Sequence, residues 1–190
     1  MKQAKLFNEK ELKICDKVPF ETAKTLAEEV LSCISKFLNP VEVVGSIRRK
    51  KSFVKDIDIV GVGSLPDSVR ALCKKFKVDF KVKGERVTKL YAEADCGKVQ
   101  VDLYCATPQT VGIHKLIRTG SADHNMWLAS YAISKGFRLK YSEGLLKDGK
   151  VVAGETEIGV FEALGLPCPK PEEREIVNKK PAWQDNGNFN

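Results

Sequence analysis

The sequence predicts an α+β fold: a mixed β-sheet with helices on one face and acidic side chains on the other, followed by a small C-terminal α+β subdomain. Three observations carry that reading. Residues 20–38 set Ala23, Leu26, Ala27, Val30, Leu31, Ile34 and Leu38 at helical intervals, which predicts an amphipathic helix ending near Asn39–Pro40. Asp56–Val62 and Lys98–Tyr104 alternate with period two, apolar on one face and polar or acidic on the other. Past Cys105-Ala106-Thr107-Pro108, which reads as a hinge, helical stretches near 109–117, 122–135 and 155–164 surround short strands around 137–152.

Taken in order, Val41–Val44 reads as a strand, and Gly45-Ser46 as a turn opening a short helix, a geometry that aims backbone N–H groups at a phosphate. Pro66–Lys75 follows as a helix. Residues 76–83 alternate strictly, as a half-buried strand does. Gly84 turns into a strand over 86–93, and Asp95-Cys96-Gly97 into the Asp102 strand. The expected organisation is an N-terminal helical segment over 1–40, a central sheet unit over 41–106, a C-terminal subdomain over 107–177 and a flexible tail over 178–190.

Composition narrows the function classes. A net charge of +7 over 190 residues favours a polyanionic partner. Six scattered cysteines without a C-x-x-C spacing argue against a zinc ribbon, and a disulfide framework is not expected without a secretory signal. No apolar run reaches membrane-span length, so the protein is expected to be intracellular, in a reducing compartment, and not secreted.

The chemistry lies in GSIRRKKSFVKDIDIV, residues 45–60. Asp56 and Asp58 point to the same side of a strand, about 7 Å apart, and repel unless a cation sits between them. Hard divalent ions such as Mg²⁺ take oxygen ligands of this kind and share them with substrate phosphates. Gly-Ser followed by Asp-x-Asp at fixed spacing has a chance of about 10⁻⁵ per start position. Asp102 stands opposite Val99, Val101 and Leu103, so if its strand pairs beside the first, three carboxylates meet on one exposed sheet face. Three acids are what a two-metal phosphoryl-transfer site needs. Each taken alone also reads as a solvated strand residue.

Gly45-Ser46 with Arg48-Arg49, Asp56-x-Asp58, Asp102, Thr119-Gly120-Ser121 with Asn125, Gly165-Leu166-Pro167 and Pro171–Arg174 follow one another from about residue 17 to about residue 174 in an order and spacing that resembles the family X DNA polymerases, the polymerase beta group of the nucleotidyltransferase superfamily. The resemblance implies a nucleotidyltransferase palm and a C-terminal nucleotide- and template-binding subdomain. It implies Asp56, Asp58 and Asp102 as catalytic ligands of two Mg²⁺ ions, with Mn²⁺ as an alternative, Asp102 serving the ion that activates the primer 3′-hydroxyl. Gly45, Ser46, Arg49 and the Lys55 backbone would hold the triphosphate of a dNTP, with Lys17 a further basic contact. Ile117, Arg118, Gly120 and Ser121 would lie beneath the nucleotide sugar, and Asn125 would face the nascent base pair.

On this resemblance the chain is a DNA-directed DNA polymerase acting on gapped or primer–template DNA, filling short gaps in repair, and working as a monomer. Two other readings stand beside it: a template-independent terminal nucleotidyltransferase and a non-catalytic DNA-binding module. Departures from the pattern bear on selectivity. Ile117-Arg118 stands where relatives carry a pair of aromatics or similar bulk, which leaves ribonucleotide tolerance open. Ala129 stands where well-known relatives place an arginine, which predicts low fidelity. About 40 residues precede the predicted sheet, too few for the helical domain with which many relatives grip a gap's 5′ end, so a stripped polymerase core lacking lyase chemistry is expected.

Other residues read more plainly. Arg48 reads either as a weaker triphosphate contact or as the partner of an acid, and Ser121 or Asp123 is expected to cap the following helix. His114 and His124 are not metal ligands at their spacing, and His124 is expected on a helix surface. Trp127 and Tyr131 read as core. Lys77, Lys81 and Lys83 line either a DNA path or a solvated strand face.

Overall fold

The computed structural model describes residues 13–177 and 180–181. In chain order the first part runs β1 (Val18–Pro19), α1 (Phe20–Ile34), β2 (Leu38–Val43), the single-turn helix α2 (Gly45–Arg48), β3 (Phe53–Val54), β4 (Asp56–Gly63), α3 (Leu65–Lys75), β5 (Val78–Lys83), β6 (Val87–Ala94) and β7 (Gly97–Ala106). The second part runs α4 (Val111–Thr119), α5 (Ala122–Ser134), β8 (Phe137–Lys140), β9 (Gly144–Lys147), β10 (Lys150–Ala153), α6 (Glu157–Ala163), a 3-10 turn over Pro171–Glu173, β11 (Ile176–Val177) and β12 (Lys180–Pro181).

Five strands form one mixed sheet in the order β2-β4-β7-β6-β5. All neighbours are antiparallel except β4 and β7, which run parallel with Asp58 opposite Asp102. One face of this sheet is apolar: Ile57 and Ile59 of β4, Leu90 and Ala92 of β6, and Val99, Val101 and Leu103 of β7 pack against Ala23, Leu26, Ala27, Val30 and Ile34 of α1 and Leu65, Val69 and Leu72 of α3. Each fully buried aliphatic side chain here contributes roughly 1.5–3 kcal/mol. The helices start where local chemistry allows: Ser64 caps α3 with Pro66 in its first turn, Ser121 caps α5 and Thr156 caps α6. A second core joins α4, α5, α6 and β9 through Ile113, Leu116, Leu128, Ala132, Leu145, Val160 and Phe161. Between the two parts, Val44, Val60, Tyr104 and Ala106 form a small bridging cluster with Val62, Val87 and Val111 packed against it.

The mixed α+β class and the helices-on-one-face sheet agree with the sequence reading. Three details differ. The first helix ends at Ile34, four residues earlier than the periodicity suggests, because Leu38 is recruited into β2 opposite Gly63. Pro40 also disfavours helix at Asn39. The strand over Val78–Lys83 is mostly exposed instead of half-buried. It lies at the sheet edge, only Val78 of it packs against the core, and a bulge between Phe80 and Val82 breaks its alternation. Of the tail expected over 178–190, Lys180–Pro181 pairs with Ile176–Val177, and the rest lies outside the described residues.

Candidate active site

The site grows from the close fit of Gly45 on Asp58. Gly45 has φ +67°, and a Cβ there would stand 2.3 Å from Oδ2 of Asp58, so glycine is required twice over, by conformation and by space. The Val44 N–H donates to the Asp58 backbone carbonyl at 2.8 Å, which stitches the turn to the acid-bearing strand. One residue on, Ser46 Oγ is buried and finds no hydrogen-bond partner. A buried hydroxyl without a partner is costly in a finished core and useful in a site awaiting an anion.

Asp56 and Asp58 share one face of β4, and the parallel register sets Asp102 directly across from Asp58. Burial, then the neighbouring Asp56 and Asp102 carboxylates, push Asp58 up from the ordinary carboxylate range to about 7, against the opposing charges of Arg118 and Lys89. Asp56 is raised as well, by burial and by Asp102, with Lys89 and Lys55 opposing. These carboxyls are short of positive charge, which is the electrostatic condition of a cation site. Asp102 corrects one expectation: it is 1% exposed instead of standing on an open sheet face. The reason is its company. Lys89, paired opposite it on β6, forms a salt bridge to Oδ2, Tyr104 donates to the same oxygen at 2.9 Å, and Gln100 donates to Oδ1 at 2.8 Å. Burial and the two nearby carboxylates, Asp58 and Asp102, hold the Tyr104 hydroxyl protonated far above its usual range, so it remains a donor. Among the described residues, no three acidic, His or Cys side chains are gathered closely enough to enclose an ion. The donor chemistry nevertheless fits: Asp56 and Asp58 present hard carboxylate oxygens whose protonation is raised by burial and mutual repulsion.

The second group of predicted residues closes over the first. Gly120, with φ +73°, lies 3.1 Å (from its would-be Cβ) from Nη1 of Arg49, which donates to the Thr119 carbonyl. Residues 70 apart in sequence are thereby brought together. Arg49 also donates from Nε to Glu175 at 3.0 Å, so here its guanidinium serves the turn and Glu175, where the sequence reading gave it to a triphosphate. Arg48 does pair with an acid. It forms a two-bond fork to Glu157, at 2.9 and 2.6 Å, and reaches Thr119 Oγ1 at 2.7 Å. Ser121 caps α5 and donates to the Arg174 carbonyl at 2.9 Å. Asn125 donates to the Ile117 carbonyl at 2.7 Å while its Oδ1 stays buried and unpartnered. Arg118 stacks on Tyr104 at 3.8 Å and over Tyr141 at 4.9 Å, close enough for its charge to act on Asp58. Lys17 is exposed and lies over the Phe53 ring at 4.6 Å, two residues from exposed Lys55.

Several contributors escaped the sequence reading. Lys89 and Tyr141 carry no motif, and only the strand register assigns Lys89 to Asp102, whereas alternation along β7 already set Gln100 and Tyr104 on the Asp102 face. Glu157 and Arg174 meet at 2.6 Å in the interior, with Arg174 1% exposed. His124 was expected on a helix surface but is fully buried under Phe161, and burial together with Arg174 lowers it to about 4. His114 is likewise buried, stacked on Tyr141 at 3.9 Å, and lowered to about 4 by burial and Arg118. Trp127 and Tyr131 stack and pack against the second core, as expected.

The arrangement is an acid-bearing sheet with a smaller α+β unit packed beside it. Residues 115–175 match the family model described as the DNA polymerase beta thumb. DNA polymerase IV of Saccharomyces cerevisiae is 31% identical over 81 residues, 43% of this chain and 14% of that protein. The DNA polymerase/3'-5' exonuclease PolX of Bacillus subtilis is 25% identical over 174 residues, 90% of this chain and 30% of that protein. The chain therefore spans less than a third of the length of either curated relative. Among solved structures, the Leishmania infantum polymerase beta ternary P/T complex shares the fold, with a TM-score of 0.75 at 21% identity, over 86% of this chain and 78% of that one. The chain is similar to these polymerases in the thumb region and in fold, as its resemblance to the family X DNA polymerases leads one to expect.

Proposed function

We propose that this chain is the catalytic core of a DNA-directed DNA polymerase that adds dNMPs to a primer 3′-hydroxyl and fills short gaps in DNA repair. The observation that carries this reading is the parallel register that sets Asp58 against Asp102, with Asp56 on the same face and the Gly45-Ser46 turn pressed on Asp58. The residues divide into a palm, up to the end of β7, and a C-terminal nucleotide- and template-binding subdomain from α4 onward.

Asp56, Asp58 and Asp102 would hold two Mg²⁺ ions, which when bound acidify the primer hydroxyl and neutralise the triphosphate. The rest falls to the chain's own groups. Gly45 keeps the turn clear of Asp58, so backbone N–H groups and the unpartnered Ser46 hydroxyl can face phosphate oxygens. Lys89, Tyr104 and Gln100 fix the Asp102 carboxylate from three directions, which sets its orientation before substrate arrives. Arg49 and Gly120 join the phosphate side to the sugar side of the site. Asn125, anchored on the Ile117 carbonyl, would face the nascent base pair. With Ala129 in place of a long side chain on the same helix, checking of the new pair is weak and fidelity low.

The test is extension of a one-nucleotide gap by the purified chain with Mg²⁺, compared with Asp102→Ala. Metal-dependent, template-matched insertion that falls by three orders of magnitude or more in the variant supports the reading. Addition to single-stranded DNA without a template would instead mark a terminal transferase. Full activity of Asp102→Ala would overturn the site.

A further inference from the structure

The turn joining β6 to β7 places Asp95 and Cys96 at its tip, between paired Ala94 and Gly97. The segment preceding β1 lies along the start of β7. Lys98 N–H donates to the Lys13 carbonyl at 2.9 Å, Cys15 N–H donates to the Lys98 carbonyl at 2.8 Å, and Ile14 faces Lys98 in a parallel bridge. Gly97 makes room for this segment. It has φ +120°, and a Cβ there would stand 2.5 Å from the Lys13 carbonyl and 2.9 Å from the Cys15 sulfur. The Cys15 thiol donates to the Cys96 carbonyl at 2.5 Å, so two cysteines 81 positions apart come side by side. Cys96 is exposed and Cys15 half-buried, and both are free thiols. Cys33, Cys105 and Cys168 instead engage the Glu29 carbonyl, the Gly63 carbonyl and Arg174.

We propose that Cys15 and Cys96 form a redox-modifiable pair, oxidised to a disulfide by small-molecule disulfides of the glutathione type. The exposed Cys96 thiolate attacks the small disulfide, forming a mixed disulfide and releasing one thiolate. Cys15, as thiolate, then attacks the Cys96 sulfur and expels the second thiolate. Two protein thiols are oxidised and one small disulfide is reduced to two thiols, each taking up one of the protons that the cysteines gave up. Partial burial and the neighbouring Cys15 push the Cys96 thiol up, so little thiolate is present at neutral pH and the exchange is slow there. The disulfide would fasten the segment leading to Lys17 and β1 onto the hairpin that carries Asp102 in β7.

The test equilibrates the full chain with reduced and oxidised glutathione at graded ratios, followed by acid quench and peptide mass analysis. The expected product is a Cys15–Cys96 linked peptide, two hydrogens lighter than its parts and reversed by dithiothreitol. The melting temperature of the oxidised chain should rise by about 5–10 °C, because the crosslink closes a long loop. Cys15→Ser should trap glutathione on Cys96, Cys96→Ser should form no crosslink at this site, and both should retain the reduced chain's activity. Stable glutathione on Cys96 in the native chain, or crosslinks distributed among other cysteines, would overturn the proposal. This outcome is read by mass and is independent of whether the chain polymerises DNA.

Discussion

Replacing Asp58 by asparagine should make the metal-free protein more stable while removing its chemistry. Asp58 is raised from 3.8 to about 7 by burial and by its two acidic neighbours. A carboxyl so displaced costs the fold about 4 kcal/mol once ionised, an upper figure because the neighbours relax when one charge goes. The sign follows from proton uptake: between about pH 4 and 7 the folded chain holds a proton that the unfolded chain has released. Stability therefore falls as pH rises through that window, and the loss is complete above it. Asparagine keeps the shape and leaves the Val44 hydrogen bond to the Asp58 carbonyl intact, since that bond uses backbone atoms. Urea unfolding in a chelating buffer at pH 8 should show Asp58→Asn more stable by about 2–4 kcal/mol, a melting rise on the order of 5–12 °C. The difference should shrink to near zero at pH 4. Adding Mg²⁺ should stabilise the native chain at pH 8 and the variant much less. A variant that is equally or less stable at pH 8, or a difference that does not change with pH, would refute the reasoning.

Other substitutions should separate the site's parts. Gly45→Ala should both destabilise the chain by about 1–3 kcal/mol and nearly abolish extension, because its Cβ collides with Asp58 Oδ2; denaturation and gap-filling assays read the two effects separately. Ser46→Ala should leave stability unchanged or raise it by up to about 1 kcal/mol, since Oγ has no partner. The same variant should raise KM for the nucleotide about tenfold or more, as expected for a lost hydrogen bond to a charged group. Glu157→Ala should cost about 3–5 kcal/mol in urea unfolding, because it leaves the buried Arg174 and the half-buried Arg48 without their shared acid. Glu157 is held below the ordinary carboxylate range by these arginines, in spite of its burial, so its contribution should be lost as pH falls below about 4.5, which acid titration of the melting temperature would show.

Much of the sheet was legible because alternation in Asp56–Val62 and Lys98–Tyr104 reports directly which face is buried. The acids of β4 and β7 follow from the same periodicity, since a polar residue every second position must share a face. What escaped was whatever depends on register or on a neighbour's shape. Lys89 joins Asp102 only because β6 pairs at that step, and no local pattern encodes the pairing. Asp102 reads from its own strand as solvent-facing, yet Lys89, Tyr104 and Gln100 close around it. His124 looks like a helix-surface residue by type, but it shares a stripe with Leu128 and Ala132 at four-residue spacing, the face of α5 turned to the second core. The edge position of β5 was hidden for the opposite reason: alternation there promises burial that no helix supplies.

The parallel pairing of β4 with β7 has a further consequence for how the activity is acquired. Asp58 and Asp102 are separated by a helix and an antiparallel hairpin, and they become neighbours only after all of that intervening chain is in place. Contacts of such sequence separation form late and slowly in folding. Catalytic competence should therefore be gained in one final step, with no partly active intermediate. In a refolding experiment, the proposed extension activity should trail the recovery of helical signal from α1 and α3, which makes that activity a reporter of the completed sheet.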